Sequence, residues 1–109
     1  MSPVIYTGSR DANGTLQVTK QAKDRPPRPL NPRLNLWNHS PRGFECGYNG
    51  SGPAQLALAL LADVVGDEDA VDMHQSFKFA VVGRWPREGF TITAEAIEEW
   101  AEQHARGDY

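Results

Sequence analysis

Residues 49–65 read Asn-Gly-Ser-Gly-Pro-Ala-Gln-Leu-Ala-Leu-Ala-Leu-Leu-Ala-Asp-Val-Val, and this stretch decides the fold. Alanine and leucine are strong helix formers, so we predict a helix over residues 54–65. Pro53 suits the first helical position, where no N–H is needed, and Ser51 or Gly52 suits the cap. Because the segment is apolar nearly all round, we expect it to be the buried central helix of the domain.

Shorter extended elements are predicted on both sides of this helix. Residues 4–7 and 15–19 are rich in β-formers and flank an Asn-Gly pair, which predicts a β-hairpin. Residues 34–37 and 44–48 alternate in polarity, so each favours a short strand, and residues 90–92 favour a short strand or an extended lead-in.

Two more helices follow. Apolar residues recur at helical spacing over residues 68–82, although residues 76–82 are also compatible with a strand. Thr93 suits the cap of a third helix over residues 94–105. We therefore expect an α+β fold, in which a small antiparallel sheet of three to five short strands packs against about three helices, with helix 54–65 central.

The chain has 109 residues, which is enough for one domain, residues 1–109. No apolar run is long enough to span a membrane, and the first residues lack the pattern of a signal peptide. A small secreted domain usually carries several cysteines, whereas this chain has only Cys46. We therefore expect a cytoplasmic protein.

Charge is unevenly distributed along the chain. The net charge is −3, but residues 1–44 sum to +5 and residues 45–109 to −8. Residues 20–33 contain four prolines among basic side chains, which predicts a Pro-rich basic arm or loop. The asymmetry indicates an anionic partner for the first half of the chain, or else two halves that neutralise each other.

Residues 39–53 concentrate glycine, hydroxyl and basic side chains in front of the central helix. Gly47, Gly50 and Gly52 permit positive φ and close backbone approach. The helix start offers unpaired N–H groups and a positive dipole end, a combination that suits an anion. The residues that we expect to bind a phosphate or ligand are Ser40, Arg42, Tyr48, Asn49, Gly50, Ser51, Gly52 and Gln55.

His39 is the predicted catalytic residue, because histidine transfers protons near neutral pH. Tyr48 or Trp37 would stack on a base. The competing interpretation is structural: the glycines serve a tight turn into the helix, and His39 is a hydrogen-bonded structural histidine.

Other reactive side chains have structural interpretations. We interpret Cys46 as a small core residue, and His74 and His104 as structural histidines. Lys78 is interpreted as part of a solvated helix face. No His, Cys or Asp grouping has metal-ligand spacing, so we expect neither a metal nor a cofactor. The Walker and dinucleotide-binding patterns are missing as well.

The run over residues 39–59, His-Ser-Pro-x-Gly-Phe-x-x-Gly-Tyr-x-Gly-Ser-Gly-Pro-Ala-Gln-Leu-Ala-Leu-Ala, resembles the central motif of a short protein family of unknown function from prokaryotes, plasmids and phages. The resemblance spans roughly residues 4–102. It implies a small stand-alone protein of the kind often encoded on mobile elements.

Two segments are also similar to viral anti-CRISPR ring nucleases, small dimers that linearise cyclic oligoadenylate messengers. Residues 50–56 are similar to the loop that runs into an apolar helix in that family, and residues 84–93 to a later Arg-x-x-Glu-Gly segment. The chain departs from the family at the mouth of the loop, where Tyr48 stands and no histidine is present. His39 lies nine residues earlier.

This second resemblance implies a metal-independent ring nuclease that binds and linearises cyclic oligoadenylates, in an anti-defence or signal-terminating role in CRISPR type III immunity. We expect a homodimer with a cyclic oligonucleotide ligand and no membrane association. Direct DNA or RNA binding is not expected from a net negative chain without a known motif. The alternatives are a non-catalytic nucleotide-messenger sponge and a protein-binding inhibitor of the anti-CRISPR type that uses the basic arm.

Overall fold

The computed structural model describes residues 3–107, apart from the side chain of Arg106, as a four-stranded sheet covered by helices. The strands are β1 (Val4–Arg10), β2 (Leu16–Ala22), β3 (Arg28–Pro29) and β4 (Gly89–Thr93). The helices are α1 (Ser51–Val65), α2 (Asp67–Ala80) and α3 (Ala94–Arg106), with a short 3₁₀ turn at Val82–Arg84. The sheet order is β3-β2-β1-β4 with antiparallel neighbours throughout. The predicted α+β class is confirmed.

The predicted hairpin is present and longer than expected. β1 and β2 pair from Val4 opposite Ala22 to Arg10 opposite Leu16. The Asp11 carboxylate accepts hydrogen bonds from the backbone N–H groups of Asn13 and Thr15 at 2.9 and 3.0 Å. The turn therefore has its own polar network, as an Asx-type reversal requires.

Two of the predicted strands are wrong. Residues 34–37 form a turn, closed by a hydrogen bond from the Leu36 N–H to the Arg33 carbonyl at 3.0 Å. Residues 44–48 are irregular, and the Gly47 N–H donates to the carbonyl of Val82 at 3.1 Å rather than to a strand. The alternation in these segments arises because loop side chains reach the core at intervals, a pattern that a pleated strand also produces.

The basic arm is partly built into the sheet. Residues 20–22 extend β2, and Arg28–Pro29 forms an edge strand paired with Thr19 and Lys20. A proline is tolerated there because an edge strand leaves one side without ladder hydrogen bonds.

The helix boundaries differ slightly from the prediction. Gly50, with an extended backbone, is the residue that caps α1, and Pro53 is the third helical residue rather than the first. Gly66 ends α1, as predicted. Residues 76–80 are helical, which excludes the strand alternative there, and the Thr93 hydroxyl caps α3 by accepting from the Ala96 N–H at 3.1 Å.

The core lies between α1, the sheet and the other two helices. Every residue of α1 from Gly52 to Ala62 is buried. The side chains of Leu56, Leu58, Leu60 and Leu61 are fully inaccessible. Burial of each such leucine contributes about 1.5–3 kcal/mol. Among the described residues, no helix is both long and apolar enough to cross a membrane.

A polar contact joins this central helix to the sheet. The Tyr6 hydroxyl donates a short hydrogen bond to the Asp63 carboxylate, and the Lys20 ammonium lies 2.8 Å from the same carboxylate. Tyr6 is 1% exposed. Burial, reinforced by Asp63, raises the pKa of Tyr6 far above its ordinary value, so the phenol stays a donor.

We expect Tyr6→Phe to lower the free energy of unfolding by about 1.5–3 kcal/mol, the usual contribution of a hydrogen bond to a charged group. Chemical denaturation would measure the change. Tyr48→Phe is the matched control, because Tyr48 is 43% exposed, and it should change stability by no more than about 0.5 kcal/mol. Equal stability of Tyr6→Phe and the wild type would contradict the structural role of this contact.

Candidate functional site

A buried glutamine positions the chain that carries His39. Gln55 lies in the first part of α1 and is fully buried. Its side-chain carbonyl accepts hydrogen bonds from the backbone N–H groups of His39 and Ser40 at 2.7 and 3.1 Å. Its amide N–H donates to the carbonyl of Pro32 at 2.6 Å. One side chain thereby ties two points of the preceding loop to the central helix.

This attachment places the His39 ring against α2, where it meets His74. The two Nε2 atoms are 2.9 Å apart, and His74 Nδ1 lies 2.8 Å from the carbonyl of Val71. Because a carbonyl only accepts, His74 Nδ1 carries a proton, and Nε2 of the neutral ring is an acceptor. His39 Nε2 therefore donates to His74, which leaves the lone pair of neutral His39 on Nδ1.

The free nitrogen of His39 is suited to accept a proton. No described residue forms a hydrogen bond with His39 Nδ1. Burial lowers the pKa of His39 below its ordinary value, and the positive charge of Lys78 lowers it further. His39 is therefore neutral at physiological pH, the state required of a general base.

Trp37 covers one side of this pair. Its ring stacks on His39 with a centroid distance of 4.9 Å and an interplanar angle of 12°, and it is tilted against His74 at 5.4 Å. Trp37 is nevertheless 49% exposed. The site thus presents a large aromatic surface to solvent next to a titratable nitrogen.

Lys78 lies one turn of α2 beyond His74. The interpretation of Lys78 as part of a solvated face is wrong, since the residue is only 8% exposed. Its ammonium lies over the ring of Phe79 at 4.1 Å, and it belongs to none of the ion pairs found among the described residues. The positive charge of Lys78 therefore lies near the two histidines and has no anionic partner among the described residues.

The glycine-rich segment folds against the end of α2. Gly47 has φ of 87°, a conformation that favours glycine, whereas Gly50 is extended. The Tyr48 ring lies on Gly50, and the Asn49 side chain lies on Gly83, next to the Lys78 carbonyl. The segment therefore follows the C-terminal part of α2, the same part that carries Lys78.

The start of α1 is partly covered by the chain itself. The Glu45 side chain packs on Gly52, at 2.6 Å from the position a β-carbon would take there. Two hydrogen bonds join the Glu45 carboxylate to Arg10 at 2.7 and 2.9 Å and lower the pKa of Glu45. A negative charge of the protein thus already stands near the positive end of the helix.

The predicted ligand-binding residues take different places. Gln55 is occupied with positioning the loop, and the Ser40 hydroxyl donates to the Gly43 carbonyl at 2.8 Å. Arg42 and Ser51 are exposed, and Ser51 makes no side-chain cap. Cys46 is fully buried, as predicted, and burial raises the pKa of its thiol.

Sequence reasoning missed His74 and Lys78 as partners of His39. Their spacing of four residues on the predicted second helix places them on one face, which was the available signal. The pairing with His39 spans 35 positions of sequence, and nothing local indicates it.

A family model covers residues 6–103 of this chain. The chain belongs to the family of unknown function DUF6166. No curated protein and no solved structure matches it. Membership of DUF6166 agrees with the resemblance to a family of unknown function and assigns no activity, so the function has to be argued from the site.

Replacement of Gln55 by leucine should cost about 2–4 kcal/mol of stability, because it leaves the N–H groups of His39 and Ser40 and the Pro32 carbonyl without their partner. Thermal and urea unfolding would measure the loss. Gln75→Leu is the control, since Gln75 is exposed on α2, and it should change stability by no more than about 0.5 kcal/mol. Similar losses for both variants would show that Gln55 has no special role.

An NMR titration should place the pKa of His39 below its ordinary value of 6.5. Removal of a nearby positive charge favours protonation, so Lys78→Gln should raise this pKa, whereas the distant, exposed Lys23→Gln should not. Because the folded protein binds this proton less readily than the unfolded chain, stability should fall as the pH drops from about 6.5 through the folded pKa. An unchanged His39 pKa in Lys78→Gln would refute the coupling.

Proposed function

We propose that the chain binds a small ribonucleotide at the cluster of Trp37, His39, His74 and Lys78 and cleaves one of its phosphodiester bonds. The observation that carries the proposal is the His39–His74 hydrogen bond, which leaves a neutral Nδ1 of His39 free for a proton. The ammonium of Lys78, a residue that is only 8% exposed, suits a phosphate, and the exposed ring of Trp37 suits a base.

The reaction that fits these groups is transesterification. The ribose 2′-hydroxyl attacks the neighbouring phosphorus while its proton passes to His39 Nδ1. The bond from phosphorus to the 5′-oxygen breaks, which gives a 2′,3′-cyclic phosphate and a 5′-hydroxyl. Water supplies the proton to the leaving oxygen, and the resulting hydroxide takes back the proton held by His39.

The neighbouring residues stabilise this step. His74 accepts from His39 Nε2 throughout, which holds the ring in the tautomer that a base requires. The positive charge of Lys78 would offset the negative charge that develops on the phosphoryl oxygens. The exposed Ser51 and Tyr48 at the start of α1 offer contacts to a more distant part of the ligand.

Cyclic oligoadenylates are the substrate class that we propose, because the loop and the later segment are similar to those of viral ring nucleases. A cyclic oligonucleotide has no free terminal phosphate, so a protein can recognise only its bases, ribose hydroxyls and phosphodiesters. Trp37, His39 and Lys78 are suited to contact these groups. A homodimer would match the symmetry of such a ring with two copies of the cluster.

Incubation with cyclic tri-, tetra- and hexa-adenylate in EDTA, followed by chromatography, tests the proposal. The wild type should yield linear products that end in a 2′,3′-cyclic phosphate. His39→Ala should slow cleavage by about 10²–10⁴-fold, the usual contribution of a general base. His104→Gln on α3, outside the cluster, is the matched histidine control and should cleave like the wild type.

Intact rings after hours with the wild type would refute the enzymatic proposal, as would undiminished cleavage by His39→Ala. Circular dichroism of each variant establishes that it is folded. The assay therefore separates loss of chemistry from loss of structure.

One observation favours binding without turnover as the second candidate. His74 Nε2 is occupied by His39, and His74 Nδ1 by Val71, so the cluster has one free imidazole nitrogen and no second proton donor of this kind. A messenger sponge, which binds the nucleotide without cleaving it, needs no second proton donor. Co-elution of an uncleaved ring with the protein would support this function, and failure to retain any ring would exclude it.

A further inference from the structure

A basic hollow lies at the edge of the sheet, where β2 pairs with β3. Its volume is about 290 Å³, and its lining consists of Lys20, Ala22, Arg25, Pro26 and Arg28. Three of these five residues are cationic. None of them belongs to the cluster around His39.

Strand pairing and hydrogen bonds to backbone carbonyls fix the segments that line this hollow. Lys20 pairs with Arg28 across the two strands, and the Arg25 N–H donates to the carbonyl of Ala22 at 3.2 Å. The amide of Gln21 donates to the carbonyl of Arg25 at 3.3 Å. Prolines at 26, 27 and 29 restrict the same segment. The cationic side chains therefore project from a constrained turn and strand.

The charges in the hollow are only partly compensated. Lys20 is paired with Asp63 at 2.8 Å, but neither Arg25 nor Arg28 takes part in an ion pair among the described residues. Like charges directly opposite each other on neighbouring strands are unfavourable. The pairing of Lys20 with Arg28, with Arg25 at the same hollow, is thus an arrangement that an anion would stabilise.

We propose that this hollow binds the phosphate group of a small phosphorylated ligand through Arg25 and Arg28. Arginine is suited to this task because its planar guanidinium donates two parallel hydrogen bonds to phosphate oxygens. The volume is near the lower end of small-molecule sites, which fits a ligand of the size of a nucleoside monophosphate.

The site goes beyond the proposed catalytic function and is separate from it. Lys20 contacts Asp63, which follows Gln55 by eight residues in α1, a rise of about 12 Å along the helix. Gln55 holds the His39 loop near one end of α1, and Asp63, near the other end, contacts Lys20, which lines the hollow.

Amide-resolved NMR titrations with pyrophosphate and with AMP test this proposal. Saturable shifts should centre on the amides of Lys20, Ala22, Arg25 and Arg28. The double variant Arg25→Gln/Arg28→Gln should weaken binding by about tenfold or more, since two charge-assisted contacts are lost. Lys23→Gln, an exposed cation of the same turn that does not line the hollow, should bind within about twofold of the wild type.

Three outcomes would overturn the proposal: no saturable shift with either probe, equal affinity of the double variant and the wild type, or equal losses in the double variant and in Lys23→Gln. A single-stranded oligoadenylate is a third probe. If it alone shifts these amides, the hollow contacts a nucleic-acid backbone and the small-ligand proposal fails. The shifts of the hollow amides on addition of AMP or pyrophosphate should be the same in His39→Ala as in the wild type, so failure of the ring-cleavage proposal is distinguishable.

Discussion

The buried amide of Gln55 is the interaction on which the rest of the site depends. It is the one polar side chain between Gly52 and Ala62 of α1, and its hydrogen bonds all go to the backbone of one loop, at Pro32, His39 and Ser40. A buried amide without partners costs several kcal/mol. The fold therefore holds this loop in one position, and the position of the His39 ring follows from it.

The position of the His39 ring determines which side chains surround it, and these side chains give the site its proposed chemistry. His39 reaches α2 where His74 and Lys78 lie one turn apart, and Trp37 stacks on the other side of the ring. Each neighbour has a distinct effect: His74 sets the tautomer, Lys78 helps keep the ring neutral, and Trp37 provides an exposed aromatic face. The glycine segment, with Tyr48 on Gly50 and Asn49 on Gly83, encloses the same end of α2.

Local patterns predicted the hairpin, α1 and α3 because turn chemistry, helix propensity and capping act within a few residues. They failed for residues 34–37 and 44–48, where alternation came from a loop that touches the core at intervals. The glycine segment and His39 could be selected from composition. The partners of His39 could not, because His74 and Lys78 reach it through tertiary packing, and Lys78 is buried against the expectation for a lysine.

Long-range heteronuclear NMR of ¹⁵N-histidine-labelled protein near neutral pH shows which imidazole nitrogens carry protons, and so tests whether His39 is a positioned base. The expected result is that His74 carries its proton on Nδ1 and His39 on Nε2, with the two rings joined through one hydrogen bond. His39 found protonated on Nδ1, or averaging freely between tautomers as in an unstructured chain, would contradict it, because no positioned base would then face the ligand.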